Sequence, residues 1–364
     1  MKKILRLVCF AFGTFFIILL AFFLLLLIQS PGKPRPFIDE EGNKVTGSIA
    51  VIETANINGL DQRMIIRGYD TTKPVLLYLH GGPGSPEFPF VRQFKSGIEK
   101  MFIVCYWDQR GAGLSYSNNI PPETMTLTQF VEDTREVSKY LIRKFGRDKI
   151  FLLGHSWGTI LGSFSAQKYP EYYHCLISIG QVARQMQSEL ISYNFVLYRA
   201  RELNDLKAIN ALEKIGPPPY SDPKKGIDNL MKERKYVTKY GGAVRNGNFY
   251  SAAAKSLFNC REYSFKDKIN YMKGMKFTLN FFWNDVIKTD LFRDIPSQTI
   301  PVYIMQGTSD YQTAYVVAKE YFDTLSAPVK EFFPFENSAH SPLFEEPLKF
   351  EELLKKILVE SKLN

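Results

Sequence analysis

Five short runs of continuously apolar residues constrain the fold of this chain more than any other feature. Each run is too short for a typical helix and too apolar for a strand with one exposed face, so it fits a strand buried on both faces of a parallel sheet. The runs lie at residues 75–79, 102–107, 150–153, 175–179 and 300–305. Helical patterns fill the gaps between them, and a hairpin over residues 49–67 precedes them. This order predicts a doubly wound, mostly parallel α/β sheet.

The clearest helical pattern begins at Leu127, from which apolar or Tyr residues recur at helical spacing. Thr126 precedes the pattern and Gln129 follows three residues later, as in a capping box. The pattern predicts an amphipathic helix that packs one face on the sheet.

The alternation of strands and helices breaks between about residues 181 and 290. Helical stretches such as residues 193–215 are interrupted by Gly-Pro-Pro-Pro at residues 216–219, and no buried strand is evident. We therefore expect a helical lid at residues 181–290, inserted into an α/β core that comprises residues 45–180 and 291–364. The lid holds 19 basic and 11 acidic residues, a net charge of +8, whereas the whole chain carries +9.

The segment from Leu7 to Ile28 contains 22 residues without a charge, and about 20 apolar residues cross a bilayer as a helix. A cleaved signal peptide is the alternative, but its apolar region would span only about 7–15 residues before a small-residue cleavage site. We expect residues 1–30 to form a cytoplasmic tip and a transmembrane signal anchor, and residues 31–44 to form a linker. Three basic residues before the span and two after it predict a single-pass membrane protein with an extracytoplasmic body.

Composition excludes several other classes of protein. A chain with 45% hydrophobic and 23% charged residues is not disordered over its bulk. The four cysteines are far apart and form no CxxC pair, so neither a disulfide framework nor a cysteine metal site is expected. No nucleic-acid motif accompanies the positive charge, and we expect neither a nucleic-acid partner nor a bound metal.

A candidate nucleophile, Ser156, follows the third apolar run. Residues 154–158 read Gly-His-Ser-Trp-Gly and lead into a helical pattern. A strand, Gly-x-Ser-x-Gly and a helix in this order form a nucleophile elbow, because the glycines permit the sharp turn that exposes the serine hydroxyl. A structural bend with an incidental serine is the alternative.

A serine hydroxyl needs a base at neutral pH, and the chain has four histidines. His340 follows the last apolar run and precedes a helical pattern, so it is the candidate base. His80, His155 and His174 are interpreted as structural or exposed. The carboxylate that orients the base should lie between serine and histidine in the chain, and Asp310 follows the run at residues 300–305. The rivals by order alone are Asp285, Asp290 and Asp294.

A glycine-rich turn follows the first apolar run, where residues 80–84 read His-Gly-Gly-Pro-Gly. Attack on a carbonyl creates an oxyanion that preorganised N–H groups stabilise. The amide of Gly81 or Gly82, together with that of Trp157, would form an oxyanion hole. A tight turn required only for folding is the alternative.

With these residues assembled, the chain resembles the α/β-hydrolase superfamily and, within it, the proline iminopeptidase group. The resemblance rests on the turn at residues 80–84, on Trp-Asp-Gln-Arg-Gly-Ala-Gly-Leu-Ser at residues 107–115, and on the elbow at residues 154–158. It implies a cofactor-free serine hydrolase that removes an amino-terminal residue, often proline, from short peptides. It also implies that Ser156, Asp310 and His340 form the catalytic triad and that residues 108–110 are a structural segment.

The sequence departs from that family at two places. His155 stands in the elbow where the family usually has Gly or Gln. No motif locates the lid glutamates that would bind a substrate's free amine, so the candidates are Glu189, Glu202, Glu213, Glu233 and Glu262. The leading prediction is an aminopeptidase that acts on a short-peptide or other small-molecule substrate. A carboxylesterase or lipase-like enzyme is the alternative because the same triad cleaves esters, and a catalytically silent tethered scaffold is the third possibility.

Overall fold

An eight-stranded sheet forms the centre of the protein in a computed structural model that describes residues 2–94, 97–220, 225–247 and 249–361. The strands are β1 (Ile49–Ile57), β2 (Leu60–Gly68), β3 (Val75–Leu79), β4 (Ile103–Trp107), β5 (Ile150–His155), β6 (Tyr173–Ile179), β7 (Val302–Gly307) and β8 (Lys330–Phe335). They follow the order β1-β2-β4-β3-β5-β6-β7-β8. Only the β1–β2 and β2–β4 pairs are antiparallel. The predicted mostly parallel sheet is therefore confirmed.

Helices cover both faces of the sheet and fill the segment between β6 and β7. They are α1 (Lys2–Gln29), α2 (Phe88–Phe94), α3 (Ile98–Met101), α4 (Leu127–Phe145), α5 (Trp157–Lys168), α6 (Gln185–Glu202), α7 (Leu206–Ile215), α8 (Gly226–Lys239), α9 (Phe249–Asn259), α10 (Phe265–Lys288), α11 (Leu291–Asp294), α12 (Tyr315–Thr324), α13 (Pro342–Glu345) and α14 (Pro347–Glu360). Short 3₁₀ helices lie at Gly113–Ser115, Pro122–Thr124 and Pro170–Tyr172.

Side chains of β3 alternate between two apolar layers, one on each face of the sheet. Val75, Leu77 and Leu79 belong to the layer that also contains residues of α4, α5 and α12. Leu76 and Tyr78 belong to the layer that contains residues of α2 and α14. All of β3 is buried. Burial on both faces explains why its sequence is continuously apolar.

The helices α6 to α11 form an insertion between β6 and β7, and its described residues include no strand of the sheet. A separate small core joins α6, α7 and α8 through Tyr193, Val196, Ala200, Ala208, Leu212, Tyr236 and Val237. The helical stretch expected at residues 193–215 divides into two helices. Asp205 begins the second one, because its Oδ1 accepts a hydrogen bond from the Ala208 N–H at 3.1 Å.

One local prediction needs correction, and one strand was not anticipated. Thr126 caps α4 by accepting a hydrogen bond from the Gln129 N–H at 3.2 Å, but the Gln129 side chain donates to Asp133 at 2.8 Å. Only half of the predicted capping box therefore forms. The edge strand β8 was not predicted, since its residues are mostly half-buried and include Pro334, so they lack the continuous apolar pattern of the inner strands.

The amino-terminal helix α1 contains the apolar stretch Cys9–Gln29, which has a mean hydropathy of 2.9 and none of whose described side chains is buried. Such a helix is typical both of a membrane anchor and of a signal sequence. The chain that follows it lies against the insertion. Ser30 Oγ accepts a hydrogen bond from Lys268 Nζ at 2.8 Å, and Arg35 pairs with Glu262 at 3.1 Å. The segment after α1 is thus held on α10 and the turn before it.

Candidate active site

Ser156 lies at a sharp turn between β5 and α5. Its φ of 53° and ψ of −120° form a conformation that side-chain-bearing residues rarely adopt, and its N–H donates to Ile179 O at 2.9 Å. The flanking glycines are sterically required. A Cβ on Gly154 would lie 2.3 Å from Gly158 O, and a Cβ on Gly158 would lie 2.1 Å from Leu79 O. The turn therefore has the geometry of a nucleophile elbow.

Asp310 and His340 lie on the loops that follow β7 and β8, with Asp310 Oδ2 2.8 Å from His340 Nδ1. The buried carboxylate accepts four more hydrogen bonds, from the backbone N–H groups of Gln312 and Thr313, from Thr313 Oγ1 and from Gln306 Nε2, at 2.7–2.9 Å. These contacts fix the carboxylate, which in turn orients the imidazole. Because Asp310 accepts a hydrogen bond from the Nδ1–H group, the other ring nitrogen of His340 is left as the basic one.

The parallel strands bring the serine and the histidine loops to one edge of the sheet. Gly180 follows β6 and packs on the His340 ring, so that a Cβ there would lie 3.1 Å from Nδ1. Within the part of the chain that the structure describes, neither Ser156 Oγ nor His340 Nε2 has a hydrogen-bond partner. Such contacts often tighten only when substrate binds.

The glycine turn after β3 packs against the nucleophile. A Cβ on Gly81 would lie 3.1 Å from Ser156 Cβ. The Gly81 N–H, however, donates to Glu87 Oε1 at 3.1 Å and is not free for a substrate. The amides of Gly82, which has φ of 116°, and of Trp157 donate to no other described residue. Of the amides that the sequence offers for an oxyanion hole, those of Gly82 and Trp157 therefore remain available and that of Gly81 does not.

A buried acid and a buried histidine lie directly behind this turn. Glu87 Oε1 is 2.6 Å from His155 Nδ1, and His155 Nε2 is 2.9 Å from the carbonyl oxygen of His340. Tyr78 donates its hydroxyl proton to Glu87 Oε2 at 2.5 Å. Burial alone would raise the pKa of Glu87 and lower the pKa of His155, but their mutual attraction outweighs burial, so the pKa of Glu87 is lowered and that of His155 is raised.

The Asp-Gln-Arg segment at residues 108–110 supports the same turn. Gln109 donates its N–H to His80 Nε2 at 3.2 Å, and its side-chain oxygen accepts a hydrogen bond from Trp157 Nε1 at 3.1 Å. Burial lowers the pKa of His80 to about 4, so His80 is neutral at physiological pH. Arg110 forms a buried fork with Asp133, at 2.7 and 3.1 Å. These contacts assign the segment a structural role.

Two of the five lid glutamates are buried near the Asp310 loop. Glu189 and Glu233 both contact Arg234, and Gln185 Nε2 donates to Glu189 Oε1 at 2.6 Å and to the carbonyl of Gln312 at 3.0 Å. Glu189 Oε2 is buried without a hydrogen-bond partner among the described residues. Burial, opposed by Arg234 and reinforced by the charge of Glu189, raises the pKa of Glu233 to about 7.

The other three glutamates are engaged elsewhere. Glu202 and Glu213 lie on the exposed surface of the insertion, where they pair with Arg199 and Arg201. Glu262 is buried but pairs with Arg35 in the segment after α1. Their positions remove these three residues from the set of candidates for binding a substrate amine.

The three aspartates that rival Asp310 by chain order, and His174, also lie apart from the Asp310–His340 pair. Asp290 pairs with Arg184 at 3.1 Å, and Asp294 pairs with the neighbouring Arg293 at 2.7 Å. Asp285 is exposed on α10, and the half-buried His174 packs on a phenylalanine ring at the start of β6. None of them contacts Ser156, Asp310 or His340 in the described residues.

Sequence reasoning missed Glu87, Gln306 and Thr313. Glu87 lies in a loop with no periodic pattern, and only the fold brings it to His155. Gln306 is the polar residue of an otherwise apolar strand end, which is a signal that could have been used, because a buried amide requires hydrogen-bond partners. Thr313 follows Asp310 by three residues, a spacing at which a hydroxyl within a turn can donate a hydrogen bond to a carboxylate.

Comparison with known proteins relates this site to hydrolases. Residues 74–215 match the family model described as alpha/beta hydrolase fold. The chain is 32% identical over 313 residues to a protein named probable aminopeptidase YbaC from Bacillus subtilis, which covers 85% of this chain and 96% of that protein. It is 28% identical over 288 residues to a proline iminopeptidase of Clostridium botulinum, covering 79% of this chain and 89% of that protein.

Solved structures agree in fold. A crystal structure of proline iminopeptidase from Mycobacterium smegmatis superposes with a TM-score of 0.63 at 18% identity, covering 86% of this chain and 99% of that one. At that identity the likeness concerns the fold alone. The sequence relatives, by contrast, extend over the core and the insertion together.

Proposed function

The chain belongs to the α/β-hydrolase fold family and is a hydrolase of the peptidase type, and we propose that it removes the amino-terminal residue from short peptides with Ser156 as the nucleophile. The observation that carries this proposal is the 2.8 Å contact between Asp310 and His340 beside the elbow at Ser156. A serine, an acid and a base in that chain order are typical of this fold.

In the proposed reaction, Ser156 Oγ attacks the carbonyl carbon of the first peptide bond, and His340 Nε2 accepts the serine proton. The imidazolium is stabilised by Asp310 and returns the proton to the leaving amine. The N–H groups of Gly82 and Trp157 stabilise the oxyanion of the tetrahedral intermediate. Water then attacks the acyl-enzyme with His340 again acting as the base, which releases the amino acid and restores the serine.

An aminopeptidase must also recognise the substrate's ammonium group. We assign this role to Glu189 and Glu233, which are buried in the insertion. Gln185 links Glu189 to the loop that holds Asp310, and Arg234 contacts both glutamates. The unpartnered Oε2 of Glu189 can accept a hydrogen bond from an ammonium group. When Glu233 is ionised, two carboxylates beside one guanidinium, that of Arg234, leave a net negative charge for a cationic substrate.

A fluorophosphonate probe tests the nucleophile, because it labels only activated serines. We expect labelling of the wild type and of Ser163→Ala, a buried serine on the same helix, but no labelling of Ser156→Ala. An unlabelled wild type would refute the proposed nucleophile, and so would equal labelling of Ser156→Ala.

The substrate is tested by comparing kcat/KM for prolyl, alanyl and leucyl arylamides with that for short acyl esters. We expect turnover of the arylamides and its loss on N-acetylation. Turnover of esters alone would replace the aminopeptidase assignment with that of a carboxylesterase, the alternative that uses the same triad.

We also propose that α1 is a retained anchor with its amino terminus in the cytoplasm. The segment after α1 is docked on the insertion through Ser30 and Arg35, which supports a junction that is part of the mature protein. Protease added to intact cells should then digest the body of the protein. A body that resists protease in intact cells and is cut only after the membrane is opened contradicts this topology.

A further inference from the structure

We propose that Glu87 and His155 form a permanent buried ion pair that positions the oxyanion turn, the nucleophile and the base relative to one another. This inference rests on the serine mechanism proposed above. Both ring nitrogens of His155 are engaged, at 2.6 Å from Glu87 Oε1 and 2.9 Å from His340 O. His155 therefore has no nitrogen left for a substrate, although it is adjacent to Ser156, and acts as a positioning residue.

A count of protons indicates that His155 is charged. The carbonyl oxygen of His340 can only accept, so His155 Nε2 must carry a proton. The second proton, on the line between Nδ1 and Glu87, belongs to His155 because the carboxylate already accepts hydrogen bonds from the Gly81 N–H and the Tyr78 hydroxyl. Hydrogen bonds donated to a carboxylate favour its ionised form.

The groups that surround the pair agree with this assignment. His80 is neutral, because its Nε2 accepts the Gln109 N–H while its Nδ1 lies 2.9 Å from Gly81 O and donates to it. The His340 ring lies 5.0 Å from the His155 ring, and the negative charge of Asp310 also raises the pKa of His155. Burial disfavours the charged form of His155, but the attraction of Glu87 outweighs the effect of burial. The pair thus persists between the lowered pKa of Glu87 and the raised pKa of His155, and is lost below the first and above the second.

The pair joins three segments that are far apart in sequence. Glu87 holds the Gly81 amide, and thereby fixes the turn whose next amide, that of Gly82, faces the substrate. His155 holds the main chain of His340, whose ring is held separately by Asp310. Since a displacement of about 1 Å between reacting groups can lower a rate about 100-fold, removing the link should affect kcat more than binding.

Glu87→Gln isolates the ion pair, because glutamine keeps the shape but removes the charge. The oxygen that replaces Oε1 can still accept from both the Gly81 N–H and His155 Nδ1, as Oε1 does in the wild type. A neutral His155 that donates from Nδ1, however, cannot also donate to the His340 carbonyl. We expect kcat for alanyl arylamide to fall about 10- to 100-fold with KM changed less than about twofold. His155→Gln should have a similar effect. The kcat of the double variant should be no lower than that of either single variant, because each single substitution already breaks the same link.

The pH profile separates positioning from general damage. In Glu87→Gln, His155 loses its counter-ion, so burial lowers its pKa; below that lowered pKa it is again protonated on both nitrogens and can hold the His340 carbonyl. The ratio of variant to wild-type kcat/KM should therefore rise as pH falls through the acidic range in which both proteins remain folded. His174→Gln, which changes a half-buried histidine that contacts neither the pair nor the proposed triad, should show a ratio near one throughout.

Nuclear magnetic resonance of the full chain in detergent, with ¹⁵N-labelled histidine, tests the charge without a variant at the pair. With four histidines, the His155 signals are assigned by elimination with His80→Gln, His174→Gln and His340→Gln. Both nitrogens of His155 should give imidazolium shifts at pH 7. A neutral His155 would overturn the proposal, as would folded Glu87→Gln with wild-type kcat. Failure of fluorophosphonate labelling in the wild type would instead reject the serine mechanism, so the two failures are distinguishable.

Discussion

Replacement of Glu189 by glutamine is the sharpest test of how a free amine would be recognised. Glu189 Oε2 is buried and has no hydrogen-bond partner among the described residues, whereas Oε1 contacts Gln185 and Arg234. Glutamine can keep an oxygen at the Oε1 position and place its NH₂ group at the Oε2 position. The contact with Arg234 then remains and Glu233 still pairs with that guanidinium, so the fold should persist while the acceptor for an ammonium is lost.

The expected magnitude follows from the strength of one charge-assisted hydrogen bond. Such a bond contributes about 1.5–3 kcal/mol, and 1.4 kcal/mol corresponds to a factor of ten. Glu189→Gln should therefore lower kcat/KM for alanyl arylamide about 10- to 150-fold. The same variant should leave propionyl arylamide, which lacks only the amino group, within about twofold, because that substrate never made the bond.

Glu213→Gln is the matched control, since Glu213 lies on the same insertion but is exposed and pairs with Arg201 at 3.0 Å. It should change neither substrate's kcat/KM by more than about twofold. If Glu189→Gln slows both substrates equally, the loss reflects a displaced lid and the amine-binding assignment is wrong. If it slows neither, Glu189 does not contact the substrate.

Three further predictions concern Glu233, the carboxylate of Asp310 and the buried fork between Arg110 and Asp133. Glu233 has a pKa raised to about 7 by burial and the nearby Glu189 charge, so its ionisation destabilises the fold as pH rises from about 4.5 through 7; the melting temperature of Glu233→Gln relative to wild type should increase over that interval. Asp310→Asn should lower kcat about 10³- to 10⁴-fold because the imidazole loses its orienting carboxylate, whereas Thr313→Val, which removes one of five donors to that carboxylate, should cost at most about 10-fold. Asp133→Asn breaks the buried fork with Arg110 and should lower the free energy of unfolding by about 3–5 kcal/mol in denaturant titrations; a loss below about 1 kcal/mol would show that the fork is not needed.

The inner strands could be predicted from sequence because burial on both faces leaves a continuous apolar run that few other structures produce. The sequence identified Ser156 and Asp310 because each follows a predicted strand, and His340 because it follows the last predicted strand. The carboxyl ends of parallel strands meet at one edge of the sheet. The edge strand β8 could not be recognised, since its half-buried residues and Pro334 obey no such constraint. Its position nonetheless determines where the loop to His340 begins.

The contacts behind the site could not be predicted from sequence, because they depend on distance in space and not in the chain. Glu87 lies 68 residues from His155, and neither residue belongs to a spacing rule. The role of Gly81 also depended on Glu87, since the sequence offers Gly81 and Gly82 as equivalent donors and only the hydrogen bond to Glu87 distinguishes them. Buried polar groups must find partners, but the sequence does not name them.

The positive charge of the insertion initially argues against a cationic substrate, because residues 181–290 carry a net charge of +8. Most of that charge is solvent-exposed, and water and salt screen exposed charges within about 8 Å at physiological ionic strength. Glu189 and Glu233 are buried, so their field is screened far less over the few ångströms that separate them from a bound amine. Under the proposed function, the substrate's amino group would therefore be recognised by this buried pair, and the exposed lysines and arginines on the outer surface of the insertion would not prevent its binding.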